Sequence, residues 1–448
     1  MLLLLSLICN FPQSYYLYPN DYLDNFRDQR KYNIVYNRTL TSQCFPIDLL
    51  RYSNNFYYDS IQINYLTGIN LKGIYIDEDF SYQIDIPVAL HLRPSEYYGA
   101  VGLGYFHFGH EGGKTDEQKI VGFTPGFEIP LENFYVYYHN DRLKIELGRN
   151  RIFWGPGNFS SVFLAENLSY DMLRISYHGD RVHFENIITP LYSKNKKYLA
   201  AQRLEFSLFS GKILFGLNEA VVWSDRTGEY YLTPVSPYYL IQRYYGERPD
   251  NVLGGADVQL LLGNKYRFYI QGMVDDVSFT PPEPPEKLGF LLGIDVYNLA
   301  NIDNLDLCFE LSGVSPYTYA HYSYHLNEEI NGFYRNDTCV GHQLGNNFWD
   351  GKFEISYRSE SYHISSLFGY TEQGPHNLSD PWTFEHKPNP PWPYGNIEKK
   401  FYLIDEIRIK FRNISFDIEG QYVKYLNNFD GVNYKDKLLL EMNIFYLF

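Results

Sequence analysis

Apolar and polar residues alternate with a period of two along most of this chain, which restricts it to strands with two unlike faces. Leu143, Ile145 and Leu147 fall on one face while Lys144 and Glu146 fall on the other. Phe401, Leu403, Ile407, Ile409 and Phe411 oppose Glu406, Arg408, Lys410 and Arg412 in the same way, and Leu438, Leu440, Met442, Ile444, Tyr446 and Phe448 oppose Glu441 and Asn443. Helical spacing is rare, and after residue 9 no apolar run reaches the roughly 18 residues that a membrane-crossing helix needs. Alternation alone fits a soluble sandwich, apolar inside, and a membrane barrel, apolar outside.

Loop lengths separate the two readings. Tight turns are expected at Asn140-Asp141, His178-Gly179-Asp180, Ser210-Gly211, Gly263-Asn264, Ser359-Glu360 and Arg412-Asn413. Long connections are expected at residues 110–130, 150–170, 224–250, 276–287, 314–349, 372–399 and 427–434. From residue 131 the two kinds largely take turns, which puts the long loops at one end of the sheet, as in outer-membrane barrels. Before that residue, strands are expected to start near residues 58, 80 and 97. The count for the whole chain is about 18 strands, within a range of about 16 to 18, an even number as a bacterial barrel requires. The expected fold is therefore all-β, a transmembrane antiparallel barrel over residues 57–448. Residues 1–14 read as a secretory leader without its usual cationic start. Residues 15–56 carry no alternation and read as a short N-terminal periplasmic segment, with two possible short helices that would form a plug.

Composition narrows the partners. The 448 residues include 45 Tyr, 32 Phe and 5 Trp, far too aromatic for a disordered chain. Most of these rings fit the interfacial girdles of a barrel. The net charge of −15 removes the electrostatic footprint of a nucleic-acid binder. Cys44, Cys308 and Cys339 lie beyond the leader, an odd number without a CxxC pair, so no zinc site is signalled; Cys308 and Cys339 remain able to pair across one long loop. His107, His110 and Glu111 have too few fixed partners for a metal site, and no nucleophilic Ser follows either His. No cofactor, no metal and no enzymatic activity are expected.

One connection is chemically distinctive. After the strand ending at Gly148 the chain reads Gly148-Arg149-Asn150-Arg151-Ile152-Phe153-Trp154-Gly155-Pro156-Gly157, continues through Ser160-Ser161 to Leu164, and rejoins a strand at Leu173-Arg174. Pro fixes φ and Gly admits backbone conformations closed to other residues, so Trp154 beside Gly155, Pro156 and Gly157 makes a rigid, tightly turned element. Such an element, with Arg149 and Arg151, is expected to fold into a barrel rather than extend from it.

This stretch resembles the Wzi-type capsule assembly family of outer-membrane proteins, marked by Gly-Arg, Trp-Gly-Pro-Gly, a Ser/Leu-rich step and the next strand. A weaker likeness extends to Pro234-Val235-Ser236-Pro237-Tyr238-Tyr239 and Asp250-Asn251. Phe153 stands where the family commonly has a second Trp. The resemblance implies a barrel of about 18 strands that is closed inside by loops and an N-terminal plug and holds capsular or extracellular polysaccharide at the surface of a Gram-negative bacterium. It implies a monomeric surface lectin in outer-membrane lipid, neither a transporter nor an enzyme. Arg149, Arg151, Trp154, Gly155, Pro156, Gly157 and Arg174 are then the candidates for polysaccharide binding or for a lumen loop. Arg suits bidentate contact with uronic carboxylates, and Tyr offers a rigid face plus a hydroxyl. Aromatic residues of the long loops, among them Tyr239, Tyr244, Tyr317, Tyr319, Trp349, Trp382 and Trp392, are further sugar platforms. The competing reading is a diffusion porin, either general or specific to a substrate, narrowed by the same loop.

Overall fold

The computed structural model describes the backbone of strands between residues 47 and 139 and, apart from short stretches inside loops, the chain from residue 142 to 446. The first strands are β1 (Ile47–Asp48), β2 (Arg51–Tyr57), β3 (Ser60–Lys72), β4 (Phe80–Pro94), β5 (Tyr105–Phe108), β6 (Phe123–Ile129) and β7 (Asn133–His139). A regular meander follows: β8 (Leu143–Arg151), β9 (Ser169–His178), β10 (Val182–Pro190), β11 (Lys197–Leu208), β12 (Ile213–Ser224), β13 (Asn251–Leu262), β14 (Tyr266–Asp276), β15 (Lys287–Val296) and β16 (Leu305–Val314). Four two-residue strands, β17 (Tyr322–Ser323) with β18 (Glu328–Glu329) and β19 (Tyr334–Arg335) with β20 (Thr338–Cys339), make two small hairpins. The last strands are β21 (Phe348–Arg358), β22 (Tyr362–Gln373), β23 (Glu398–Phe411), β24 (Ile414–Asn427) and β25 (Lys437–Tyr446).

Apart from the two small hairpins, these strands form one large sheet. From β7 to β16 each strand pairs antiparallel with the next. β16 then pairs with β21, and the order continues to β25. β4 pairs with β3 on one side and with β6 and β7 on the other, and β2 pairs with both β3 and β25. The short β5 lies parallel to β6. From residue 131 onward successive strands end and restart at the positions expected from the sequence, short and long connections falling at alternate ends; Asn140-Asp141, Asn264, Glu360 and Arg412-Asn413 themselves lie outside the described residues. The turn after β11 places Phe209, Ser210 and Gly211 all in the left-handed region, with φ of 52°, 57° and 83°. Residues 15–46, most of the expected plug, lie outside the described residues, as does the strand start expected near residue 97. Within the last part of the plug segment the backbone runs as strands β1 and β2, so the second expected short helix, over residues 46–51, is replaced at Ile47–Asp48 and from Arg51 by strand. The segment's lack of alternation does not prevent this, because strand pairing depends on neighbours more than on intrinsic preference.

Burial decides which face is apolar. Along β14, Arg267, Tyr269, Gln271 and Met273 are buried, whereas Phe268, Ile270 and Val274 are exposed. The same inversion holds in β8, where Lys144 and Glu146 are buried and Leu147 is 61% exposed. A soluble sandwich has the opposite arrangement; a sheet whose apolar face meets hydrocarbon has this one. No helix among the described residues is long and apolar enough to cross a membrane. Two apolar clusters pack on opposite sides of this wall. One, inside, gathers Ile152, Trp154, Phe163, Leu164, Leu291 and Phe348, while the other, outside, gathers Ala200, Val221, Trp223, Tyr231 and Tyr238.

Candidate functional site

The inner cluster is built on the connection between β8 and β9. Trp154 makes an isolated bridge to Leu164, its N–H 2.9 Å from the Leu164 carbonyl, so residues 154–164 form a closed loop. Gln271 of β14 holds this loop as a strand edge would. Its Nε2 donates to the Trp154 carbonyl at 2.9 Å, and its Oε1 accepts the Val162 N–H at 3.0 Å. Gly155 has φ 145°, and a Cβ there would stand 2.5 Å from Gln271 Nε2, so both the backbone and the close approach require glycine.

A buried arginine fixes the next turn. Arg267 donates through Nε to Asp295 Oδ2 at 2.6 Å, through Nη1 to the Pro156 carbonyl at 2.9 Å, and through Nη2 to Asn158 Oδ1. Asn158 in turn donates from its backbone N–H to Glu310 Oε2 at 2.7 Å and from Nδ2 to Asp295 Oδ1 at 2.7 Å. The Ser160 hydroxyl donates to Glu310 Oε1 at 2.9 Å. Phe159 lies under Lys352 of β21, with Nζ 5.7 Å from its ring centre. The loop thus runs from β10 across to β21, carried by polar groups that point inward from at least five strands.

Trp154 and Arg174 meet through a residue that sequence reasoning missed. Glu185 of β10 accepts the indole N–H on Oε1 at 2.6 Å and the Arg174 guanidinium on Oε2. Trp154 is only 3% exposed and stacks with Phe163, centroids 6.3 Å apart, so its ring is enclosed by protein. Gly155, Pro156 and Gly157 share this inner position. Arg149 and Arg151 do not. They have the parity of Ile145 and Leu147, and therefore stand on the outward face at the rim of β8. There Arg149 forms a two-pronged pair with Asp171 of β9, at 2.6 and 2.7 Å. The expected single cluster is thus split by the wall, because neighbouring strand residues point to opposite sides.

A second long connection, residues 315–347, knits into the first. Tyr319 donates its hydroxyl to the Val162 carbonyl, Ala165 N–H reaches the Val340 carbonyl at 3.0 Å, and Asn167 Nδ2 reaches the Gly341 carbonyl at 2.6 Å. His342 is buried there, and burial pushes its imidazole down to about 3. It is a neutral ring at pH 7, accepting the Leu344 N–H on Nδ1 and sharing a hydrogen bond between Nε2 and Ser312. Cys308 and Cys339 are buried free thiols, so the disulfide left open by the sequence does not form. Cys308 instead accepts from Asn158 Nδ2 at 2.8 Å. Among the described residues no group of three His, Cys, Asp or Glu side chains is placed to hold a metal. His110 and Glu111 lie outside them.

The loop aromatic residues divide among three environments. Tyr317, Tyr319 and Trp382 are buried. Trp349 and Trp392 form a cluster with Phe290, centroids 5.1 to 5.7 Å apart, on the outward face of β15 and β21. Tyr239 and Tyr244 are exposed on a short helix, α1 (Tyr238–Tyr245).

With this geometry in hand, comparison with known proteins is decisive for the family. Residues 89–390 match the family model of the capsule assembly protein Wzi. The chain belongs to this family. Among solved structures it is similar to Wzi of Escherichia coli, described as an outer-membrane protein involved in group 1 capsule assembly and as a carbohydrate-binding β-barrel. The identity is 13%, the alignment covers 98% of this chain and 90% of that one, and the TM-score is 0.58. It is also similar to OccD3 (OpdP) of Pseudomonas aeruginosa, at 10% identity over 91% of this chain and 93% of that one, with a TM-score of 0.50. At these identities the structural likeness speaks for the fold alone. No curated protein matches the chain.

Proposed function

We propose that this Wzi-family protein is an integral outer-membrane barrel of about 18 strands that binds capsular or extracellular polysaccharide at the cell surface without catalysing a reaction. The pairing of β2 with both β3 and β25 supports a sheet that closes on itself. The exposed apolar face of the wall supports insertion in lipid as a monomer, and we assign no cofactor or metal. The observation that carries the functional reading is the inward loop of residues 152–168. It bears the Trp-Gly-Pro-Gly motif of the family, is anchored on strands from β10 to β21, and occupies the space that a diffusion channel needs open. In this reading Trp154, Gly155, Pro156, Gly157 and Arg174 hold the barrel shut. Arg149 and Arg151, at the outer rim, are the members of the candidate set placed to meet a uronic carboxylate.

Two measurements test this. Deleting the gene in an encapsulated host is expected to move polysaccharide from the cell-bound to the released fraction, and unchanged retention would sink the capsule-binding reading. The purified protein is expected to form no steady channels in planar bilayers; stable open conductance would favour the porin.

A further inference from the structure

On β10, β11 and β12 the outward face of the wall is apolar except for one row. Asn186 of β10 stands opposite Gln202 of β11, and Gln202 stands opposite Glu219 of β12. Their chain neighbours Glu185, Arg203 and Asn218 point into the lumen, so these three point out. The connection between β12 and β13 satisfies all of them. Asn186 Nδ2 donates to the Tyr238 hydroxyl at 3.0 Å, and Gln202 Nε2 donates to the Ser236 carbonyl at 2.9 Å. The Glu219 carboxylate accepts the first two N–H groups of α1, from Tyr238 and Tyr239, both at 2.8 Å. Around this row, Tyr238 and Ile241 of the helix pack on Ala200, Val221 and Trp223. The helix therefore lies against the outer side of the wall, over the half of β12 nearer the long loops.

Its free side is unlike that of a helix facing water. Tyr239, Leu240 and Tyr244 are 49%, 60% and 83% exposed, and Leu232 and Val235 beside them are exposed as well. Among the described residues between 230 and 244 the charged one is Arg243, whose Nε donates to the Tyr239 hydroxyl at 3.0 Å with the guanidinium 5.4 Å from that ring. This surface continues the exposed wall residues Tyr198 and Leu217 of β11 and β12. Tyrosine, leucine and a lone cation are the side chains of a membrane–water boundary.

We propose that α1 is an interfacial anchor, lying in the outer-leaflet boundary of the membrane with Tyr239, Leu240 and Tyr244 against lipid and Arg243 meeting lipid phosphate. This rests on the outer-membrane reading above. The test places a nitroxide at position 244 (Tyr244→Cys), at wall position 217 (Leu217→Cys) and at turn position 303 (Asp303→Cys), each in a Cys9→Ser, Cys44→Ser background. The full-length protein is reconstituted in vesicles of phosphatidylethanolamine and phosphatidylglycerol. The oxygen-to-nickel accessibility ratio at 244 is expected to lie several-fold above that at 303 and to approach that at 217, and Arg243→Glu is expected to lower it. A nickel-accessible label at 244 with a lipid-exposed one at 217 overturns the anchor alone. Shielding of 244 from both probes means protein cover and also overturns it, whereas a water-exposed 217 overturns the membrane reading itself.

Discussion

Two long loops leave the same end of this sheet and settle on opposite sides of it. The loop of residues 152–168 folds inward and the described residues between 229 and 245 fold outward, yet consecutive side chains of one strand hold both. Glu185 of β10 grips Trp154 inside, while Asn186, the next residue, bonds Tyr238 outside. On β12 the inward Asn218 joins the Arg203–Asp257 ion pair, while the outward Glu219 caps α1. A loop goes where the wall offers polar partners, because a polar group facing lipid or a dry lumen costs free energy unless it is hydrogen-bonded. The inner anchors are charged and buried, and they tie several strands together. The outer row involves three strands and one eight-residue helix.

That difference predicts unequal consequences. Arg267 is fully buried and joins Asp295 to the loop at Pro156 and Asn158. Arg267→Leu leaves a buried carboxylate without its cation, a loss of about 3–5 kcal/mol. It is expected to lower the urea midpoint of the whole protein in detergent, and Arg267→Leu with Asp295→Leu is expected to recover most of the loss. A drop below about 1 kcal/mol in the single variant would mean that the inner loop rests on the wall without bracing it. Glu219→Ala removes the acceptor for two helix N–H groups, worth about 1–2 kcal/mol. Its effect is expected to stay local, with faster amide exchange at residues 238–245 and unchanged protection at residues 152–168. Faster exchange in both loops at once would dissolve the distinction between them.

Much of this was legible in the sequence, for a definite reason. A period of two sustained over five or more residues, as from Leu143 to Leu147, locates a strand without knowledge of its neighbours, and Gly-Pro-Gly beside Trp154 signals a rigid turn. The parity that puts Ile145 and Leu147 outward also assigns Arg149 and Arg151 to that face, so their separation from Trp154 was readable too. Grouping them by closeness along the chain hides it. Glu185 was not readable. Its role depends on the register that brings β9 and β10 together, Glu185 opposite Ser176 and Ile187 opposite Arg174, and on a loop returning from far along the sheet. The outward row is equally non-local, since Asn186, Gln202 and Glu219 become one feature only after three strands are paired. The aromatic residues of the long loops divide among buried, outward and exposed positions, because composition does not say which side of the wall a loop will take.

The smallest expected effect on stability falls on the rim, where the same comparison bears most directly on function. Arg149 and Asp171 are 38% and 31% exposed, so their pair is screened and worth at most about 1 kcal/mol despite its two-pronged geometry. Arg149→Ala with Arg151→Ala is therefore expected to leave the urea midpoint nearly unchanged. Polysaccharide held by cells carrying this variant is nonetheless expected to fall, because two cations leave a rim on a molecule whose net charge is −15. Trp154→Phe is the converse control. It keeps an aromatic side chain but replaces the indole by a smaller phenyl ring and removes the N–H that Glu185 accepts, a change expected to cost about 1–3 kcal/mol while leaving both rim arginines in place. If the rim variant retains its polysaccharide and Trp154→Phe loses it while still folded, the inner loop is the ligand contact and the two roles are reversed.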